Sequence, residues 1–361
     1  MAANWSQLPE DLLQLISQKL NSQFYQLCFR SVCSSWRSSV PPNAQLFPTP
    51  LSKRTIILIK PSPNQQKTLK PFLIKIGPDS HGRTRLWNPL YSYKHLRLSF
   101  PQHIVDFNQL SVIDIGHEVI IGDFPFESSE YSGLSAVLTR KVVVDTRFVL
   151  TIHPSGNLAI FRSSDEQWTI IPEMPKTIIP GMSKTKYTDI CIFNGRPIAV
   201  DSNGQTVAVG LDLSLDLVAK AVFGGDTNFL VESDGELLLV AKYLKAPRQF
   251  LMFDSKTGDV RIETVGGTRF GVFRLDEKEK ILGDKILFLG EDSAFSVSAS
   301  DLCMENGNCV IFLSDDVTKI ERRIDVFCLD EQQISPLSDL PSYSELFWPP
   351  PQWPVATRIL D

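Results

Sequence analysis

The stretch Asp234-Gly235-Glu236-Leu237-Leu238-Leu239-Val240 sets a dipeptide suited to positive backbone angles directly before a run of β-forming residues, the mark of a strand leaving a tight hairpin. The pattern recurs along the chain. Short β-type runs are expected at Leu110–Ile115, Lys141–Val144, Asn157–Phe161, Asp189–Phe193, Thr206–Val209, Phe250–Phe253, Lys285–Leu289, Val310–Leu313 and Asp325–Leu329. Ser155-Gly156, Ser202-Asn203-Gly204 and Thr257-Gly258-Asp259 are further turn signatures between them. Toward the N-terminus, the apolar runs Thr55–Ile59 and Phe72–Ile76 flank a Pro- and Lys-rich stretch, Lys60 to Pro71, expected to be an exposed loop.

So many short strands must avoid open edges, and radial repetition of four-stranded blades, about 40 to 50 residues each, is the usual solution. The expected fold is therefore mainly β with a small α-helical N-terminal domain, the β part forming a large, degenerate, kelch-like propeller. A large sandwich or irregular barrel is the alternative. Gly224-Gly225 recurs as Gly266-Gly267, 42 positions later (266 − 224), which is one blade length. The Tyr and Trp that a kelch blade carries downstream of its glycine pair do not follow, so any repeat is degenerate.

The first forty residues read as helix. Leu8-Pro9-Glu10-Asp11 is a start signal, with proline at the first helical position and two carboxylates at the positive end of the dipole. Leu12, Leu13, Ile16 and Leu20 are expected to share one face, with Gln14, Gln18 and Lys19 outward. Ser22 can cap a second short helix bearing Phe24, Leu27 and Cys28, and Ser31 a third bearing Val32, Cys33, Trp36 and Val40. A unit this small, with no disulfide or metal, buries too little surface to fold alone, so its apolar faces need a partner. Pro41-Pro42, Pro48 and Pro50 crowd a boundary that neither helix interior nor central strand would tolerate.

Trp5-Ser6-Gln7-Leu8-Pro9-Glu10-Asp11-Leu12-Leu13, continued by Ile16 and Leu20 and then by Phe29-Arg30-Ser31-Val32-Cys33-Ser34-Ser35-Trp36-Arg37, resembles an F-box from end to end. The resemblance implies a three-helix motif that docks onto the Skp-type adaptor of a cullin ligase. By carry-over onto matching positions, the adaptor-binding residues would be Leu8, Pro9, Leu12, Leu13, Ile16, Leu20, Leu27, Val32, Cys33 and Trp36. Tyr25 and Gln26 depart from the charged residue that many members hold in the second helix. Further along, Leu86-Trp87-Asn88-Pro89-Leu90 leading to Leu98, Phe229 to Val240, Leu282-Gly283-Asp284 with Ile286 to Gly290, Cys309 to Asp316 and Pro350-Pro351-Gln352-Trp353 are similar, in the same order, to the C-terminal domain of plant SKIP-type F-box proteins. That implies a propeller-like substrate-binding domain. The expected organisation is an F-box at 1–42, a Pro-rich linker at 43–54 and a propeller-like domain at 55–361.

Composition narrows the remaining classes. Hydrophobic residues make up 43% and charged residues 21% of 361, as in ordinary folded domains. A net charge of -5 with scattered Lys and Arg leaves no field for nucleic acid, and Lys53-Arg54 and Arg322-Arg323 read as solvated pairs. With no signal-like start and no apolar run long enough to span a bilayer, a soluble intracellular protein is expected, cytoplasmic, nuclear or both, with no membrane partner. Six cysteines without a CxxC pair read as reduced thiols, and His81, His95, His103, His117 and His153 lack paired ligand spacing, so no metal and no cofactor are expected. No GxxxxGKS, HExxH or GxSxG motif occurs, and Gly266-Gly267-Thr268-Arg269-Phe270-Gly271 reads as a turn. Trp348-Pro349-Pro350-Pro351-Gln352-Trp353-Pro354 is expected to seal the last blade, with a polyproline ligand as the alternative.

The functional expectation is a non-catalytic substrate-receptor subunit of an SCF-type E3 ubiquitin ligase. It would bind a Skp-type adaptor and, through it, cullin and RING subunits, and would recruit an unidentified protein substrate for degradation. The alternatives are an F-box scaffold acting outside a ligase and a propeller hydrolase, the latter requiring acidic residues and a histidine in the central channel.

Overall fold

The computed structural model describes residues 7–20, 25, 29–30, 32–39, 51–61, 70–79, 84–92, 110–121, 141–172, 186–220, 225–244, 248–253, 260–265, 267–275, 281–314 and 323–347, with backbone only at 121, 248–253, 260–265 and 344. Leu27, Leu98, most of the expected second helix, Val40, the Thr257 turn, His81, His95, His103 and the Trp348–Pro354 segment lie outside the described residues.

Twenty-two strands fall into five blades among these residues, the first two continuous as one eight-stranded sheet through the Val119–Val142 pair. From the innermost strand outward, the first blade is β4 (Leu110–Ile121), β1 (Leu51–Pro61), β2 (Phe72–Pro78) and β3 (Thr84–Trp87). The second is β5 (Val142–Val144), β6 (Phe148–Ile152), β7 (Leu158–Arg162) and β8 (Thr169–Ile170). The third is β9 (Tyr187–Phe193), β10 (Arg196–Asp201), β11 (Thr206–Val209) and β12 (Leu215–Ala219). In the fourth, β13 (Thr227–Ser233), β14 (Glu236–Leu244) and β17 (Thr268–Arg274) form one sheet, and the hairpin of β15 (Arg248–Phe253) and β16 (Val260–Val265) is inserted between β14 and β17. The fifth is β19 (Ala294–Ser298), β18 (Lys285–Leu289), β20 (Cys309–Ser314), β21 (Arg323–Cys328) and β22 (Gln333–Pro336), with β18 and β20 parallel. The innermost strands touch in the order β4, β5, β9, β13, β19, and β19 returns to β4. This closed circuit is a propeller.

Closure explains the unbroken apolar runs. Each blade is covered on both faces, so successive side chains of one strand enter different cores. Ile286, Phe288 and Ile311 of the fifth blade pack with Ile56, Leu58 and Leu73 of the first, while Leu287, Leu289 and Phe312 pack with Val231, Val240 and Val272 of the fourth. Ala199 meets Leu150 and Ile160 of the second blade, whereas Ile198 and Val200 meet Leu230 and Leu239 of the fourth. The turns behave as their residues require: Asp234 and Gly235 have φ of 53° and 76°, and Gly156 and Gly204 have φ of 92° and 78°.

The ring shuts between its first and last blades. Leu73 bridges Phe347 in parallel and its N–H donates to Leu346 O at 2.7 Å, beside the short helix α3 (Pro341–Ser344). A second latch joins the turn after β3 to the β18–β19 turn. Glu291 N–H donates to Leu90 O (2.9 Å), Ser92 N–H to Glu291 Oε2 (2.7 Å) and Ser293 Oγ to Pro89 O (3.0 Å). Beneath it, Lys75, Arg54 and Glu118 are buried together, with the Arg54 guanidinium 3.4 Å from the centre of the Trp87 ring.

Arg54 is buried, not the solvated side chain expected of the Lys53-Arg54 pair, and two further expectations are corrected. β1 starts at Leu51, inside the span assigned to the linker, because Leu51 to Arg54 already pair with Ile121 to Glu118; the proline crowding ends at Pro50. The glycine pairs do not mark successive blades either: Gly225 precedes β13 and Gly267 precedes β17, two strands that flank β14 in one sheet.

The helical head holds α1 (Glu10–Lys19) and α2 (Ser34–Ser39), packed on each other. Pro9 is the N-cap residue rather than the first helical one, and its carbonyl accepts the first turn's bond from Leu13 N–H at 3.1 Å.

Candidate docking face and channel mouth

In α1 the apolar stripe is split rather than shared by one face. Leu13 and Ser17, one turn apart, are buried, and Ser17 Oγ donates to Gln14 O at 2.8 Å. Leu12, Leu15 and Ile16 point to solvent, 43%, 55% and 37% exposed, and Val32 joins them at 55%. Adjacent residues on a helix are about 100° apart, so Leu12 and Leu13 cannot both face inward. Leu8 and Leu20 are half-buried and Pro9 is exposed. Of the residues singled out in the sequence, the open surface thus gathers Pro9, Leu12, Ile16 and Val32, while Leu13 lies inside the head. Leu15 was missed there, although it stands one turn from Leu12 and belongs to the same outward face.

The inside of the head is aromatic. Phe29 is buried and its ring centre lies 4.5 Å from that of the half-buried Trp36. Arg30 and Arg37 each donate to the other's carbonyl at 3.2 Å, fixing the chain on either side of Val32 and Cys33. Ser35 sits 3.0 Å from Cys33 Sγ, and that hydrogen bond holds the thiol below its usual pKa. The phenol of Tyr25, at the position that departs from the family pattern, accepts a bond from Asp114 N–H of β4 at 3.4 Å. The head therefore touches the propeller while its leucine face stays open.

On the propeller, β5, β9, β13 and β19 all begin at one rim, around a cavity of about 570 Å³. Lys141 and Asp189 form its fixed part: Lys141 Nζ lies 2.8 Å from Asp189 Oδ1, and Asp189 also accepts bonds from Ile190 N–H (2.8 Å) and Leu230 N–H (2.7 Å). Three blades are strapped together in this way. Lys186, Asp226, Glu291 and Asp292 supply the other charges of the rim, and Tyr187 and Phe229 its aromatic surface. Burial, and then the neighbouring charge of Glu118, push the Asp292 carboxyl up to about 7. No histidine is among the described residues that line this cavity. Among the described residues, no three His, Cys, Asp or Glu side chains converge on a metal-sized point, and no helix is long and apolar enough to cross a membrane.

The comparisons with known proteins agree with both halves. The F-box domain model matches residues 5–41, and the KIB1-4 beta-propeller model matches residues 51–334. F-box protein SKIP23 of Arabidopsis thaliana is 38% identical, with 97% of this chain and 95% of that protein covered. F-box protein At2g17036 of the same plant is 34% identical over 97% of this chain and 94% of its own length. A helical head with outward leucines, a closed ring of blades and two family models in tandem leave one assignment: the chain belongs to the F-box proteins that carry a KIB1-4 beta-propeller.

Proposed function

We propose that this chain is a substrate-receptor subunit of an SCF-type E3 ubiquitin ligase, whose head docks on a Skp-type adaptor, and through it on cullin and RING subunits, while the propeller holds a protein target. One observation carries the reading: Leu12, Leu15, Ile16 and Val32 face water on a head too small to afford such exposure without a partner. Covering each would contribute about 1 to 2 kcal/mol, and a docking surface built from them, with Leu8 and Pro9 at its edge, is of the kind that centres stable interfaces. The chain itself makes and breaks no bonds in this scheme. It raises the target's local concentration beside a conjugating enzyme held elsewhere in the assembly, in the cytoplasm or the nucleus.

The test is co-purification of the full chain with adaptor and cullin. Leu12→Glu combined with Ile16→Glu keeps the head folded, because both side chains are already in solvent, and abolishes adaptor recovery. Retained adaptor binding by that variant, or adaptor recovered without cullin from cells with intact ligase, refutes the assignment.

A further inference from the structure

We infer that Cys309 and Cys328 are a redox-sensitive pair, which a hydroperoxide converts into a reversible disulfide that loosens the seam closing the ring. The inference goes beyond the receptor reading and does not depend on it. Cys309 of β20 and Cys328 of β21 stand directly opposite each other in the fifth blade. Leu329 N–H donates to Asn308 O at 3.0 Å, one residue further along each strand, which makes the two cysteines a non-hydrogen-bonded pair. The Cα atoms of such a pair lie about 4.5 Å apart with both side chains on one face, inside the window of roughly 4.4 to 6.8 Å that a disulfide spans. Ile311 and Val326, the opposed pair two residues along the same strands, share a core with Cys309 and so mark that face. Both thiols are free, whereas Cys191, another free thiol in a strand, faces Ile198.

The two thiols divide the chemistry. Cys328 is half-buried and meets the oxidant, while Cys309 is buried, its thiol pushed up to about 12 by that burial, and reacts only with what lies beside it. With hydrogen peroxide, Cys328 Sγ takes one oxygen to become a sulfenic acid and releases one water. Cys309 Sγ then displaces the hydroxyl group from Cys328 Sγ, and its own proton leaves with that group as a second water. Two electrons have passed from the pair to the peroxide, and two equivalents of a thiol reductant, ending as a disulfide themselves, reverse the bond. Cys309 Sγ lies 3.6 Å from the Tyr343 hydroxyl of α3, which burial and then the neighbouring Cys309 hold above its usual pKa. Turning the sulfur toward Cys328 withdraws it from Tyr343 and takes this partner from a half-buried hydroxyl. Three residues on, Leu346 O accepts from Leu73 N–H and Phe347 bridges Leu73, so the first-to-last seam is tied to the state of the pair.

The experiment uses the full chain, purified reduced and treated with a small molar excess of hydrogen peroxide, after which free thiols are alkylated and peptides read by mass spectrometry. A linked Cys309–Cys328 peptide, lighter by two hydrogens than its separate halves, is expected in most molecules and should vanish after dithiothreitol. Hydrogen exchange of the Leu73 amide should become several-fold faster in the oxidised protein and return to the reduced rate with dithiothreitol. Cys328→Ser and Cys328→Ala, small changes at a half-buried position, should melt as the native chain does and show neither the bridge nor the faster exchange. Both thiols still open to alkylation while Cys33 or Cys303 is oxidised overturns the proposal. So does Cys328 carried on to the sulfinic acid with Cys309 still free, or a bridge that forms only in urea. A bridge that leaves Leu73 exchange unchanged overturns the switch in favour of a passive crosslink, and peroxide-dependent acceleration in both Cys328 variants overturns it in favour of another oxidised residue.

Discussion

Lys75 Nζ lies 2.8 Å from Glu118 Oε2 with neither side chain exposed, joining β2 to β4 under the latch that closes the ring. Arg54 Nη1 stands 3.7 Å from the same oxygen and also donates to Ser92 O, while Ser92 Oγ donates to Glu118 Oε1. Lys75 Nζ also donates to Tyr91 O at 2.8 Å. Removing one partner of such a pair strands the other charge in a dry interior. Lys75→Met should destabilise the propeller by about 3 kcal/mol, visible as a drop of about 5 °C or more in its melting temperature. A change within 1 °C would show that Arg54 alone satisfies Glu118.

Asp292 gives the same region a pH dependence. Its carboxyl keeps its proton in the fold up to about pH 7 but releases it near pH 4 when the chain unfolds. The stability linked to that proton is therefore fully present below about pH 4 and lost as pH rises through about 7. Asp292→Asn cannot lose a proton, so the variant should gain on the native protein steadily between pH 4 and 7.5. Parallel melting curves for the two proteins across that range would contradict the assignment.

The split stripe of α1 separates two kinds of substitution. Leu13→Ala empties a buried site and should cost the head about 2 to 4 kcal/mol, detectable as faster proteolysis near residues 10–40. Leu15→Ala removes a side chain already in water, and should leave proteolysis of the free chain unchanged while weakening adaptor binding. The reverse pattern would mean that the two faces have been exchanged.

Two glycines differ in what their replacement meets. A Cβ on Gly235 touches nothing within 4 Å, so Gly235→Ala costs only the left-handed backbone, about 1 kcal/mol. A Cβ on Gly225 would lie 2.6 Å from Lys242 O, in the backbone of the neighbouring strand, and should cost clearly more. Urea titration of the two variants should rank them in that order.

The sequence was most informative where local chemistry and burial agree. Thr206–Val209 and Lys285–Leu289 are strands over the expected residues, since both are central strands buried on two faces. Outer strands escaped the reading. In Leu215–Ala219, Asp216 and exposed Leu217 and Val218 blur the pattern, and Thr169–Ile170 is too short to carry one. In the head, the residue types were legible but their direction was not, because whether Leu12 or Leu13 faces inward depends on how α1 packs on α2. The channel mouth left no local trace: Lys141 and Asp292 are 151 positions apart (292 − 141) and become neighbours only through ring closure.

The bridge between Leu73 and Phe347 also sets a timetable for biosynthesis. These residues are 274 apart (347 − 73), so at roughly 5 to 20 residues per second a ribosome needs on the order of 14 to 55 seconds to deliver the second after the first. Until Ile286, Phe288 and Ile311 have been made, Ile56, Leu58 and Leu73 have no fifth blade to cover them. The residues of the head leave the exit tunnel before any of this is settled, so under the receptor reading proposed above the docking face would be made well before the ring that would hold a target is closed.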